Sequence, residues 1–384
     1  MHVIATPVGV FVIVLVLWEA FETIVLPRRV SRRVRLTRMF FRSVWRVWSA
    51  VGRRKRPGNR RENYLSVFAP LTLLALLALW AVGVVLGFAL VQWGLGTPIS
   101  PDTRADLTTH LYMSATTFVT LGMGDVSPAS APGRAIVAVE AGTGFAFLAM
   151  VIAYLPVLYQ AFSRREVRIS MLDQWAGSPP SAVELLRRAG RHGGIDSVNG
   201  LLADWEYWSA ELLESHLSYP LLAFFRSQHD NQSWLSALTT ILDLSALGLA
   251  GVDGVSTWQS RRTFAMARHA VVDLAAVLRT PPEPPPGDRL PSSEWPGLRK
   301  GLEAAEVRLQ PDAVERLGQF RRIYEPYVHA LSRLLEMPLP PLLPPADAKD
   351  NWQTSAWGSR DDQEAADEGT RPVTLPSHPR ERGR

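Results

Sequence analysis

The sequence predicts an all-α membrane protein. Three transmembrane helices, with a short non-spanning helix and loop before the third, precede an α-helical domain on the cytoplasmic side. Three observations carry this. Apolar runs at Val3–Leu26, Tyr64–Trp93 and Arg134–Phe162 each exceed the roughly 20 residues that cross a bilayer. Between the first two lies a belt, Arg28 to Arg61, with fourteen lysines and arginines and no acid. After residue 162 helical periodicity dominates, and no strand-type alternation runs long enough to suggest a sheet.

The 384 residues leave room for about two or three domains. Hydrophobic residues make up 47% of the chain, concentrated in its first 162 residues. With no cysteine, disulfides and thiolate metal sites are excluded.

Residues 1–27 form the first span. The run lacks the charged start and small-residue cleavage site of a signal peptide. Glu19 and Glu22 interrupt it near its end, one helical turn apart. Carboxylates in a span seek partners; an ion site is one reading, and a pair meeting nearby arginines is the favoured one. Residues 28–62 form the basic segment. By the positive-inside rule it is cytoplasmic, which places the N-terminus outside and the 94–133 segment outside, where Asp102, Asp106 and Asp125 outnumber Arg104. Arg35, Arg38, Arg42 and Arg46 fall on one helical stripe, with Phe40, Phe41, Trp45 and Trp48 among the apolar remainder. This predicts an amphipathic helix in the membrane interface, its arginines towards anionic lipid headgroups. A voltage-sensing helix fits less well, because the arginines are too dense. Nucleic acid is not an expected partner of a belt tied to the bilayer.

Residues 63–162 hold the central unit: an outer helix over 65–93, a short helix over 105–118 capped by Asp102 or Thr103, a loop over 119–125 and an inner helix over 134–162. The loop closes the stretch Thr116-Thr117-Phe118-Val119-Thr120-Leu121-Gly122-Met123-Gly124-Asp125. An apolar helix, a loop ending in Thr-x-Gly-x-Gly-Asp and a second apolar helix together resemble the pore module of potassium channels, whose filters commonly read Thr-Val-Gly-Tyr-Gly. The resemblance covers about residues 64–162.

That resemblance implies a re-entrant pore helix and a selectivity-filter loop. Backbone carbonyls of Thr120, Leu121, Gly122 and Met123, with the Thr120 hydroxyl, replace the water shell of a potassium ion in transit. Gly122 and Gly124 supply the unusual backbone angles, and Asp125 sits at the outer mouth. Val119, Tyr112 and Thr116 support the filter; the Tyr112 hydroxyl is placed to reach Asp125. Gly144 falls on the family's hinge position, with Gly142 second; close helix packing is the equal alternative. Pro156 is expected to kink the inner helix, and Glu140 to sit behind the filter in a structural role. The departures are Met123, where an aromatic residue is usual, and Val119, where threonine is. One filter repeat per chain implies a homotetramer. Metals other than the filter cations, cofactors and catalysis are not expected.

Residues 163–337 read as helices near 181–191, 197–217, 232–249, 257–279, 294–309 and 312–336, with Ser197 and Asp312 as caps. Asp243 marks 233–250 as a buried helix rather than a fourth span. Gly248, Gly251 and Gly254 lack the spacing of a dinucleotide-binding loop. The scattered histidines lack metal-ligand spacing. Glu206, Glu211 and Glu214 read as a solvated face, and Trp205, Tyr207 and Trp208 as core or interface. No ligand of this domain can be named. Pro281–Pro286 reads as a stiff linker, and residues 338–384 as a disordered tail. The expected activity is passive cation conduction, most simply of potassium. A non-selective pore and a non-conducting sensor or scaffold are the alternatives.

Overall fold

The structure is a computed structural model that describes residues 2–26, 35–101, 106–229, 231–344 and 350–351. Among the described residues, three helices are long and apolar enough to cross a membrane. The first, α1 (His2–Ala20), continues through a π-helical turn, Phe21–Val25. An amphipathic helix α2 (Leu36–Arg53) and a short α3 (Asn59–Ser66) lead into α4 (Phe68–Gly94). Helix α5 (Leu107–Phe118) is too short to span, and α6 (Ala131–Ala176) has 46 residues. At about 1.5 Å per residue, α6 extends roughly 69 Å.

Helix α1 runs antiparallel to α4, with Thr6 beside Gly94 and Val16 beside Gly83. Small residues let the two backbones close: a Cβ on Gly9 would lie 2.5 Å from the Gly87 carbonyl oxygen. Helix α6 is antiparallel to α4 as well, since Glu140 faces Gln92 while Leu158 shares a cluster with Phe68. The basic helix α2 therefore sits at one end of the three long helices. Near the other end a two-residue pair joins β1 (Ile99–Ser100) to β2 (Ser127–Pro128).

The boundaries differ from expectation in instructive ways. Asp102 and Thr103 lie outside the described residues; the cap of α5 is Asp106, whose side chain accepts from the Thr109 amide at 2.9 Å. The inner helix begins three residues early, at Ala131, because Ser130 caps it and Pro132 suits its first turn. It runs unbroken through Pro156, whose ring nitrogen leaves the Ile152 carbonyl without an intrahelical donor.

The C-terminal domain adds α7 (Ala182–Arg191), α8 (Ser197–Ser218), α9 (Trp234–Ala250), α10 (Thr257–Val277), α11 (Trp295–Glu303) and α12 (Ala313–Leu335). Every residue of α9 is buried among the other helices, which explains its apolar composition without a membrane. Inside this core Asp243 receives two bonds from Arg289, at 2.6 and 3.0 Å, and one from the Tyr324 hydroxyl. Burial alone would lower the pKa of Arg289; Asp243, Tyr324 and Glu325 carry it above its ordinary value.

Four expectations for this domain are corrected. The 294–309 helix ends at Glu303, because Glu306 turns left-handed (φ 61°) and Leu309 bridges to Val252. The proline strap at 281–286 is no spacer: Glu283 donates to the Pro326 carbonyl at 3.0 Å, and the chain leads straight to buried Arg289 and Leu290. The disordered tail was placed too early. Leu342 is fully buried and its carbonyl accepts from the Ser181 hydroxyl at 2.6 Å, since prolines forbid helix but not burial. Residues 352–384 lie outside the described residues. Glu206 is not simply solvated, for it receives bonds from Gln259 and Arg262, both at 2.9 Å.

Candidate functional site

The loop after α5 starts from the way that helix ends. The Leu121 amide donates to the Thr116 carbonyl at 2.8 Å, and the Thr120 amide to Thr117 at 2.9 Å. These two bonds form a Schellman motif, which needs a left-handed residue where glycine is usual. Thr120 occupies that place with φ 56°. A β-branched residue there is a conformational outlier, and such outliers gather at functional sites. Gly122 (φ 48°) and Gly124 (φ 81°) are left-handed too. Every second residue of the loop is therefore left-handed, and Leu121 and Met123 between them are not.

The loop is held from behind rather than from its own tip. The Tyr112 hydroxyl donates to Asp125 Oδ2 at 3.0 Å and lies 3.9 Å from Met123 Sδ. Thr116 turns inward, its hydroxyl donating to the Met113 carbonyl at 3.0 Å. Val119, Leu121 and Met123 stay open, each a little over 60% exposed. Among the described residues nothing lies within 4 Å of a Cβ built on Gly122 or Gly124.

Glu140 of α6 is fully buried behind α5. The Ser114 hydroxyl donates to its Oε1, and Gln92 of α4 reaches its Oε2 at 3.5 Å. Ser114 also contacts the Val85 carbonyl at 2.8 Å. One carboxylate thus ties α4, α5 and α6 together. His110, not singled out by sequence, is buried between the carbonyls of Asp106 and Thr97, at 2.9 and 3.3 Å. Gly144 packs directly on the end of α5: a Cβ there would overlap the Phe118 carbonyl. Gly142 has no such neighbour. Below it, Phe145, Leu148, Ile152 and Tyr159 form an exposed apolar stripe on α6.

At the far end, groups that sequence reasoning missed join α6 to the C-terminal domain. Arg165 looked like a flanking charge, yet it is buried. It donates to the carbonyls of Leu222 and Phe225, at 2.9 and 3.0 Å, and pairs with Glu166 at 2.8 Å. Those carbonyls belong to or adjoin a 3-10 turn, Pro220–Phe224, that wedges against the bases of α4 and α6. His216 Nδ1 donates to the Leu212 carbonyl at 2.8 Å, leaving Nε2 to accept from Arg165 at 3.3 Å. Burial and the Arg165 guanidinium hold the His216 imidazole well below its ordinary pKa.

Glu22 meets Arg35 at 3.6 Å and accepts from Trp18 at 2.8 Å. Glu19 does something the sequence did not suggest: it accepts from the amides of Leu36 and Thr37, at 3.2 and 3.1 Å, and so caps α2. Part of the apolar face of α2 is covered by protein, while Met39 and Val47 stay exposed. Trp45 packs on Phe68 and Phe224 and donates to the Leu334 carbonyl at 2.7 Å.

Residues 73–160 match a protein-family model described as ion channel. The match takes in most of α4, all of α5 and its loop, and α6 to just beyond Pro156; the C-terminal helical domain lies outside it. No curated protein and no solved structure matches the chain. Residues 73–160 are thus similar to the pore segments of ion channels, and the long helices they include are apolar enough to cross a membrane.

Proposed function

We propose that the chain is one subunit of a homotetrameric channel that conducts potassium passively through Thr120–Gly124. The carrying observation is the alternation of left-handed residues at Thr120, Gly122 and Gly124 in an open loop. Alternate handedness turns successive carbonyls to one side, which is what an ion stripped of water requires. Four copies complete the ring. The open loop and the unpartnered stripe on α6 are the surfaces that assembly would use. The C-terminal end of α5 would add its negative dipole end to a central cavity.

In this reading α5 and its loop re-enter the membrane from outside. The basic belt and the helical domain lie in the cytoplasm, and the membrane is the cell membrane. Arg165 and the turn at Pro220–Phe224 would pass domain movement to the part of α6 around Pro156. Gly144 acts first as the seat for α5, and any hinge there must release the Phe118 carbonyl.

A second reading, a non-selective cation pore, is favoured by one feature. Met123 is flexible and cannot donate a hydrogen bond. The test is a bi-ionic current across vesicles holding purified tetramers, potassium on one side and sodium on the other. A reversal potential strongly favouring potassium is expected. Equal permeability would widen the conclusion to a non-selective pore, and no flux from open tetramers would leave a scaffold.

A further inference from the structure

The arginine stripe of α2 borders a cavity of about 480 Å³, with Arg35 and Arg38 half-buried and Arg42 and Arg46 exposed. The cavity lies where α2 and the end of α1 meet the base of α4, the Pro220–Phe224 turn and the end of α10. Its wall is apolar, with Leu73, Leu76, Leu77 and Trp80 from α4 and Leu221 and Phe224 from the turn. Its rim is cationic: Arg35, Arg38, Arg42 and Arg46 from α2, and Arg279 after α10.

The charge of Arg38 is incompletely answered among the described residues. Glu22 takes Arg35. Arg38 Nη1 is buried with no hydrogen-bond partner among the described residues. Burial and the guanidinium groups of Arg279, Arg35 and Arg42 lower the Arg38 pKa, with Glu19 opposing. Converging like charges beside apolar surface repel one another and need an anion.

We propose that this cavity binds an anionic phospholipid, its phosphate against Arg38, Arg42, Arg46 and Arg279, and the start of one acyl chain along Leu73, Leu77 and Trp80. Two features select a lipid over a soluble anion. A free phosphate would use the rim and leave the apolar wall wet. The cavity also opens at the end of the three long apolar helices, where headgroups lie. A lipid held there would touch the belt, the outer helix and the helical domain at once.

The test reads binding alone, so it stands apart from conduction. The purified full chain is titrated by native mass spectrometry with phosphatidylglycerol, and with phosphatidylcholine carrying the same acyl chains. Glycerol phosphate and inorganic phosphate are further probes. At least tenfold tighter binding of phosphatidylglycerol is expected than of any other probe. Arg38→Gln with Arg42→Gln should remove that preference, while Arg54→Gln with Arg56→Gln, outside the cavity, should keep it within about twofold. Leu77→Trp, which fills the wall, should weaken the lipid about tenfold without altering the rim. Equal binding of phosphatidylcholine by the unaltered protein overturns the proposal. So does glycerol phosphate or inorganic phosphate binding as tightly as the lipid, or an equal loss in the Arg54 and Arg56 variant.

Discussion

Around Asp243 the chain closes on itself, and around Thr120 to Asp125 it does not. Asp243, Arg289, Tyr324 and Glu325 satisfy one another inside a buried core, all drawn from one chain. The loop at 119–125 sets an unusual backbone and then leaves its side chains open. A cluster that satisfies its charges within one chain needs nothing from outside. A loop that spends conformational strain with nothing in front of it is built for an occupant or for copies of itself. The same fold thus holds one finished region and one unfinished one, with α6 running from one towards the other.

The sharpest way to break that contrast is to damage each region and read both outcomes. Asp243→Ala leaves the Arg289 charge buried without its main partner and should cost about 3–5 kcal/mol. Denaturant unfolding of the full chain, followed by tryptophan fluorescence, measures it. Gly122→Ala should cost only about 1–2 kcal/mol, because its surroundings in one chain are open and only the left-handed backbone resists. Yet it should abolish potassium flux. A Gly122→Ala protein that conducts normally would mean the loop is not the conduction path.

Gly144→Ala tests the seat of α5 on α6. The new methyl must displace the Phe118 carbonyl, so α5 and α6 should separate at a cost of about 1–3 kcal/mol. Flux should fall with it. An unchanged unfolding midpoint would show that the close approach is not needed, and would return Gly144 to a hinge role.

Much of the pore segment was legible because its signals are local. Apolar length marks a span, and the left-handed backbone at Gly122 and Gly124 is signalled by the glycines themselves. The joint with the C-terminal domain was not legible. Arg165 meets carbonyls 57 and 60 residues away, and in sequence it is one more arginine flanking a span. Glu19 caps a helix that begins 17 residues later. Periodicity puts the arginines of α2 on one face but does not reveal the protein groups that share it, Leu221, Phe224 and Arg279. Prolines after 338 looked disordered, since composition does not reveal that Leu342 finds a core.

A smaller effect should appear with pH at that joint. His216 has a folded-state pKa below its unfolded value, through burial and Arg165. Above about pH 6.5 both states are neutral there and stability is flat in this group. Below it the unfolded chain takes up the proton first. Stability then falls with decreasing pH, by at most about 1.4 kcal/mol per pH unit, until the folded pKa is reached. His216→Asn should remove this component. The difference in unfolding free energy between the two proteins, followed from pH 7.5 to 5, measures it. A difference that stays constant would place the imidazole proton elsewhere.

The smallest expected effect lies back at the open loop. In the potassium-channel filters that this loop resembles, an aromatic residue at the place of Met123 holds the width; here the Tyr112 hydroxyl on Asp125 anchors the loop among the described residues. Tyr112→Phe keeps the ring and removes only that bond. Both partners are exposed to solvent in a single chain, so fold stability should not move. What should move is selectivity. With the loop tip released, sodium permeability relative to potassium should rise a few-fold in the bi-ionic measurement, while total flux stays close to that of the unaltered channel. If the ratio is unchanged, width is set by neighbouring subunits rather than by this bond, and the loop is even less finished within one chain than its geometry suggests.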